Sequence, residues 1–144
     1  MRQLVSIGVL AMIVAPAPAE AQEARAVKKI DDANRAAMED YDILNFESAR
    51  KLLEDALAQA KRAKLEKHPA AARTHLNLGI VLGGGLGDMA AAQAEFKKAI
   101  EIDPGSKLPV AYKTPELQKA FDGSTAAGSS TGPRSASSTR PSTA

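Results

Sequence analysis

The sequence predicts an all-α fold: a short superhelix of about two stacked helical hairpins, closed by a C-terminal capping helix. Three observations predict it. Apolar residues recur every three or four positions through most of the chain between 23 and 122, which is the spacing of one helix face. Start and stop residues (Asn45, Pro69, Asp88, Pro104, Thr114-Pro115) cut that pattern into helix-sized pieces. No stretch sustains period-two alternation, so essentially no sheet is expected.

In the first piece, Val27, Ile30, Ala33, Ala37, Tyr41 and Leu44 predict a helix over about 23–43. Lys28, Lys29, Asp32 and Glu39 form its wet side, and Asp31 stands four residues before Arg35 as an acid–base pair. Asn45 is a cap for the next helix. Its stripe is Phe46, Ala49, Leu52, Leu53, Ala56, Leu57 and Ala60, and it runs on toward Leu65. Lys61, Arg62, Lys64 and Lys67 gather where the helix dipole favours cations.

Pro69 suits a first helical turn. The helix that follows, through Leu82, is apolar on most sides toward its end, as expected of a helix sandwiched between neighbours. Gly79 weakens it by about 1 kcal/mol relative to Ala, a residue retained where another backbone must come close. Gly83-Gly84-Gly85-Leu86-Gly87 is expected to break the helix as a flexible connection. Asp88 then caps a helix with Met89, Ala92, Phe96, Ala99 and Ile100 inside, ended by Asp103-Pro104-Gly105. Thr114-Pro115-Glu116 starts the final helix, 115–122, with Leu117, Ala120 and Phe121 as its apolar edge.

The two ends read differently. Arg2 precedes an apolar run, Leu4–Ala15, and then Ala17-Pro18-Ala19-Glu20-Ala21. A positive start, a short apolar run and small-x-small sites are the pattern of an export signal. Residues 1–21 are therefore expected to be a signal peptide, cleaved after Ala19 or Ala21, with the helical domain at 22–122. The apolar run is short for a membrane span of ~20 residues, so membrane contact is expected only through the signal peptide. The product is expected to be exported, periplasmic or secreted. Residues 123–144 are nearly all Gly, Ser, Thr, Ala and Pro and lack the large apolar side chains that offset ordering entropy, so they are expected to be a disordered tail.

Charge and composition exclude several functions. Arg2, Arg134 and Arg140 are the only charged residues in 1–19 and 123–144, so the stretch between holds 16 of the 19 Lys+Arg and all 17 Asp+Glu, a net charge of −1. Such a domain presents no phosphate-attracting field, and five aromatics, Tyr41, Phe46, Phe96, Tyr112 and Phe121, are too few for base stacking. No nucleic-acid partner is expected. With no cysteine, disulfides, thiolate nucleophiles and Cys-based zinc sites are excluded. His68 and His75 are seven apart across a helix start and form no metal pair; His75 is expected to pack within the stack and His68 to mark the helix boundary. Gly83–Asp88 lacks the Gly-Lys-Ser/Thr ending of a phosphate loop and follows a helix. Glu39, Asp40 and Asp42 have no calcium-loop frame. Ser48 and Ser106 have no base or glycine elbow. No catalytic residue, metal or cofactor is expected.

Leu76-Asn77-Leu78-Gly79, Gly87-Asp88, Ala92, Phe96 and Ala99-Ile100-Glu101-Ile102-Asp103-Pro104 together resemble a tetratricopeptide repeat, a helix-turn-helix unit of about 34 residues. Gly79, Ala92 and Ala99 match the family's close-packing positions, Leu78, Leu82 and Phe96 its filling positions, and Pro104 its closing proline. Residues 72–105 cover this repeat with one extra residue in the glycine-rich turn. A degenerate copy precedes it, with Ala33, Ala36 and Ala37 on its first helix and Ala49, Leu53 and Ala56 on its second. The resemblance implies a concave groove lined by the first helices, with Asp31, Asn34, Met38, Tyr41, Arg73, Asn77 and Ile80 pointing toward it. Asn34 and Met38 stand where the family's clamp for terminal carboxylates has a lysine and an asparagine, so that clamp is incomplete. The implied function is a protein-binding module, an adaptor or assembly factor in a bacterial-type cell envelope. The other reading is a structural subunit of a larger envelope or secretion complex. Two repeats and a cap fall short of the usual three-repeat minimum, so a protein or peptide partner or a homo-oligomer is expected.

Overall fold

The computed structural model describes residues 18–128. Among them the chain forms five α-helices and no strand: α1 (Ala19–Asp42), α2 (Phe46–Arg62), α3 (Pro69–Ile80), α4 (Met89–Ile102) and α5 (Pro115–Gly128). α1 and α2 form the first hairpin and α3 and α4 the second; α3 packs against α1 and α2, and α5 packs on α4. The expected stack of two hairpins and a closing helix is present. Of the expected signal peptide, residues 1–17 lie outside the described residues, and Ala19–Ala21 form the first turn of α1.

Both helices of the first hairpin end the same way. Asn45 N–H donates to Asp40 O at 2.8 Å and Leu44 N–H to Tyr41 O at 2.9 Å, the paired bonds of a Schellman stop, with Leu44 left-handed at φ 64°. Leu65 N–H donates to Ala60 O and Lys64 N–H to Lys61 O, with Lys64 at φ 58°. α2 therefore stops at Arg62 and does not run to Leu65. Leu65 instead turns inward as the buried residue that follows the stop. Asn45 makes no side-chain cap; its backbone N–H closes the α1 stop in a three-residue connection. The other starts are as expected: Asp88 Oδ1 accepts from Ala91 N–H at 2.9 Å, Thr114 Oγ1 from Leu117 N–H at 3.2 Å, and His68 Nδ1 from Ala70 N–H at 3.1 Å ahead of Pro69.

The glycine run does not break the helix where expected. α3 continues through a π turn, Val81–Gly85, in which Leu86 N–H reaches back to Val81 O at 3.0 Å. A π turn accommodates one inserted residue without ending the helix, and this is where the one extra residue of the second repeat goes. The chain turns only at Gly87, φ +75°. The run is also tightly packed and not a flexible connection. A β-carbon at Gly83 would lie 2.7 Å from Leu117 of α5, one at Gly84 2.5 Å from the Tyr41 hydroxyl of α1, and one at Gly85 2.5 Å from the Phe46 ring of α2.

Small residues set the spacing of the stack. Ile30, Ala56, Ala60, Leu65, Ala70 and Ala71 bury one end of the hairpin contact, and Ala37, Ala49, Leu53, Leu78 and Val81 the other. A third cluster, Leu76, Ile80, Ala92, Phe96, Ala99, Leu108, Leu117 and Phe121, joins the second hairpin to α5. Of the expected packing positions, Ala49, Leu53, Ala56, Leu78, Gly79, Ala92, Phe96 and Ala99 are buried, Leu82 is half-buried, and Pro104 lies exposed just beyond the end of α4.

α5 runs to Gly128, six residues past its expected end at 122. Small residues allow this close contact. Ser124 Oγ lies 2.9 Å from Ala120 O and 3.0 Å from Gln93 O of α4, and a β-carbon at Gly123 would lie 2.7 Å from Gln93 Nε2. A Gly/Ser/Ala composition reads as disorder in isolation but is also what a close helix contact requires. Residues 129–144 lie outside the described residues.

Candidate protein-binding groove

α1 presents Asp31, Asn34, Arg35 and Met38 at i, i+3, i+4 and i+7, which puts them on one face. α3 presents Arg73 and Asn77 at i, i+4. These six line a concavity of about 310 Å³ between the two first helices. Arg73 Nη1 donates to Asp31 Oδ1 at 2.8 Å, tying α3 to α1 across the groove. Arg73 is therefore the cross-groove partner of Asp31. Arg35, which spacing alone assigned to Asp31, stands 4.0 Å from Asp32 instead.

Beneath the rim lies a buried polar network. Asn34 Nδ2 donates to Ile30 O at 2.9 Å and to Thr74 Oγ1 at 2.8 Å. Asn77 Nδ2 donates to Asn34 Oδ1 at 2.9 Å, and Thr74 Oγ1 donates to Ala70 O at 2.9 Å. Both donors and the carbonyl of Asn34 are thus engaged inside the protein, so it fastens α1 to α3 and is not available to clamp a ligand. Asn77 uses one N–H on Asn34, which leaves its carbonyl and second N–H for the groove. Thr74 has no periodic or charge signal in the sequence that marks it as part of this network.

Two expected groove residues lie elsewhere. Ile80 is fully buried in the core with Leu76 and Phe96, because α3 is enclosed on most sides and this position faces α4 and the chain beyond it. Tyr41 sits in an aromatic cluster: its ring centroid is 5.2 Å from Phe46 and 5.4 Å from Tyr112, the latter edge-on. Tyr112 belongs to the connection between α4 and α5, whose Leu108 is buried with Leu76 and Ile80. That connection lies over the end of the expected groove, and Tyr112 Oη donates to Asp42 Oδ1 at 3.4 Å. Burial first, and then the Asp42 carboxylate, push both tyrosine hydroxyls above their ordinary pKa. The connection has no periodicity, so nothing in the sequence placed it against α1.

His75 is half-buried within the second hairpin, its Nδ1 2.6 Å from Glu95 Oε2, and Lys98 Nζ donates to Glu95 Oε1 at 2.7 Å. Burial alone would raise the Glu95 carboxyl, but the hydrogen bonds to His75 and Lys98 outweigh it and hold the carboxyl below its ordinary pKa. No group of three or more His, Cys, Asp or Glu among the described residues is placed to hold a metal ion. No described helix is long and apolar enough to cross a membrane.

Two hairpins stacked first helix to first helix, with a concavity between those helices, define a helical-repeat fold. A family model for the tetratricopeptide repeat matches residues 33–104, half of the chain, and the chain belongs to that family. No curated protein and no solved structure matches it. Repeats of this family generally mediate protein–protein interaction and are typically non-catalytic.

Proposed function

We propose that this chain is an adaptor or assembly factor of a bacterial-type cell envelope that holds an extended peptide segment of a partner in the groove between α1 and α3. The observation that carries this reading is a groove lined by two guanidinium groups, Arg35 and the Asp31-bridged Arg73, beside Asn77, whose carbonyl and second N–H are not used by Asn34. An extended backbone satisfies an amide of this kind, and a carboxylate side chain on the peptide would pair with Arg35 or compete with Asp31 for Arg73. Met38 supplies an adaptable apolar contact beside them. The export pattern in residues 1–21 supports the location.

The test is capture of partners from envelope extracts, followed by binding of the captured partner's peptides to the purified chain. Arg35→Ala with Arg73→Ala should weaken peptide binding at least about tenfold, since each charge-assisted contact contributes about 1.5–3 kcal/mol. Melting should change little, because the Asp31–Arg73 bridge has side chains 36% and 59% exposed and such bridges contribute only ~0–1 kcal/mol. Unchanged binding rejects the groove. Mass spectrometry of the chain recovered from fractionated cells tests export: a start at Glu20 or Gln22 is expected, and an intact Met1 in the cytoplasm rejects it. The second reading, a structural subunit of a larger envelope or secretion complex, is favoured by the open helix faces at both ends of the stack. A fixed, non-exchanging complex with partners would support it.

A further inference from the structure

Among the described residues each end of the stack carries a groove, and the two grooves differ in charge. At the first end, α1 and α2 leave a groove of about 440 Å³ floored by Ala26 and Ala63 and rimmed by Arg25, Lys29 and Arg62. None of these three cations makes an ion pair among the described residues. No acid lines this groove, so three positive charges surround its small-residue floor; Asp32 and Asp55 line the adjoining groove of the same helices beside Lys29. At the other end, α4 and α5 leave a groove of about 840 Å³ floored by Met89, Ala90 and Ala120 and rimmed by Glu116, Asp122 and Lys119. Its net charge is negative, and Glu116 has no cationic partner among the described residues.

Inside the stack, floors of this kind are covered by the next helix: Ala37 and Ala49 meet Leu78 and Val81, and Ala92 and Ala99 meet Leu117 and Phe121. A helical-repeat stack stays soluble as a monomer when its outer faces are polar caps; here both rims are polar, and the floors between them are small and apolar. Residues 129–144 contain no large apolar side chain and only positive charge, Arg134 and Arg140. They have nothing to fill the apolar floor at the α4–α5 end and the wrong sign for the α1–α2 end.

We propose that copies of this chain associate end to end, the α4–α5 face of one copy seated on the α1–α2 face of the next. Glu116 and Asp122 then meet Arg25, Lys29 and Arg62, and the apolar floor around Met89 and Ala120 meets the alanine floor of the neighbour. The contact joins two different faces, so each added copy presents a fresh one, and the assembly extends beyond a dimer unless its rotation closes a ring. Such a contact goes beyond the peptide groove, which lies on a third face and stays open in every copy.

Sedimentation velocity of the purified chain over a range of concentrations tests this. The mean sedimentation coefficient should rise with concentration past that of a dimer, and the rise should shrink at ~1 M salt, where screening acts over about 3 Å. Lys29→Glu with Arg62→Glu, or Glu116→Lys with Asp122→Lys, should each weaken self-association by about tenfold or more. An equal mixture of the two variants should assemble again, because every face finds an opposite charge. A chain that stays monomeric at all concentrations overturns the proposal and leaves the two ends to foreign partners. So do reversal variants that assemble like the unaltered chain, or a mixture that stays dissociated. All four side chains are exposed; should a variant lose its helical circular dichroism, the concentration and salt dependence of the unaltered chain decides alone.

Discussion

At the scale of single residues, two small polar or absent side chains hold the helices in register. Asn34 is 4% exposed and links α1 to α3 through Thr74 and Asn77. Replacing it with alanine removes three hydrogen bonds and leaves the Asn77 amide short of an acceptor. Asn34→Ala should therefore destabilise the fold by about 1–3 kcal/mol, measured by urea denaturation. The same change in a Thr74→Val background should cost less, since one of those bonds is already gone. Gly79 poses a contest between two effects. Alanine would favour the helix by about 1 kcal/mol, but its β-carbon would lie 2.5 Å from the Phe96 ring and 3.1 Å from Ala92 O. Phe96 is fully enclosed, with Phe121 edge-on at 5.5 Å, so the ring has nowhere to go. Overpacking of about 1–3 kcal/mol outweighs the propensity gain, and Gly79→Ala should lower the denaturation midpoint. A raised midpoint would mean that α3 and α4 are further apart than the structure places them.

At the scale of elements, whatever was periodic was legible. The stripes on α2 and α4 and the starts at Pro69, Asp88 and Thr114 follow from spacing and capping chemistry alone. What was not legible depended on contacts distant in the chain. Gly83–Gly85 looks like a break until Tyr41, Phe46 and Leu117 are seen pressing on it. Ser124 looks like tail until Gln93 offers it a carbonyl. Ile80 was assigned to the groove by repeat position, yet the connection carrying Leu108 and Tyr112 closes over that region. The second hairpin carries its own test. Glu95 has a carboxyl held below its usual pKa of 4.5, so the folded state binds its proton less readily than the unfolded state does. That contribution is fully present above pH 4.5 and is lost as the pH falls through the lowered folded value. Stability measured from pH 6 downward should fall below about pH 4.5, the ordinary glutamate range, and Glu95→Gln should flatten that part of the curve. An unchanged acid limb in Glu95→Gln would mean that other carboxylates dominate there.

At the scale of the whole molecule, the stack departs from a chain of independent neighbours. In an ordinary helical repeat array each hairpin touches only the next, and a local defect loosens one end. Here the segment from Gly79 to Gly85 is pressed by Phe96 of α4, Leu117 of α5, Tyr41 of α1 and Phe46 of α2. Four helices meet on one glycine-rich turn and a half, and the connection to α5 returns to α1 through Tyr112. A defect at the far end is therefore transmitted to the first hairpin. Leu117 is fully buried against Gly83 and Gly84, and Leu117→Ala should cost about 2–5 kcal/mol of a total of about 5–15 kcal/mol for a domain. If the glycine segment couples the stack, amide hydrogen exchange in the slowest positions of α1 and α2 should quicken by the same factor as in α4. An end-fraying array would instead lose protection in α4 and α5 and leave α1 and α2 at their original rates. That second pattern would show that the close contacts around Gly83–Gly85 position the helices without binding them into one cooperative unit.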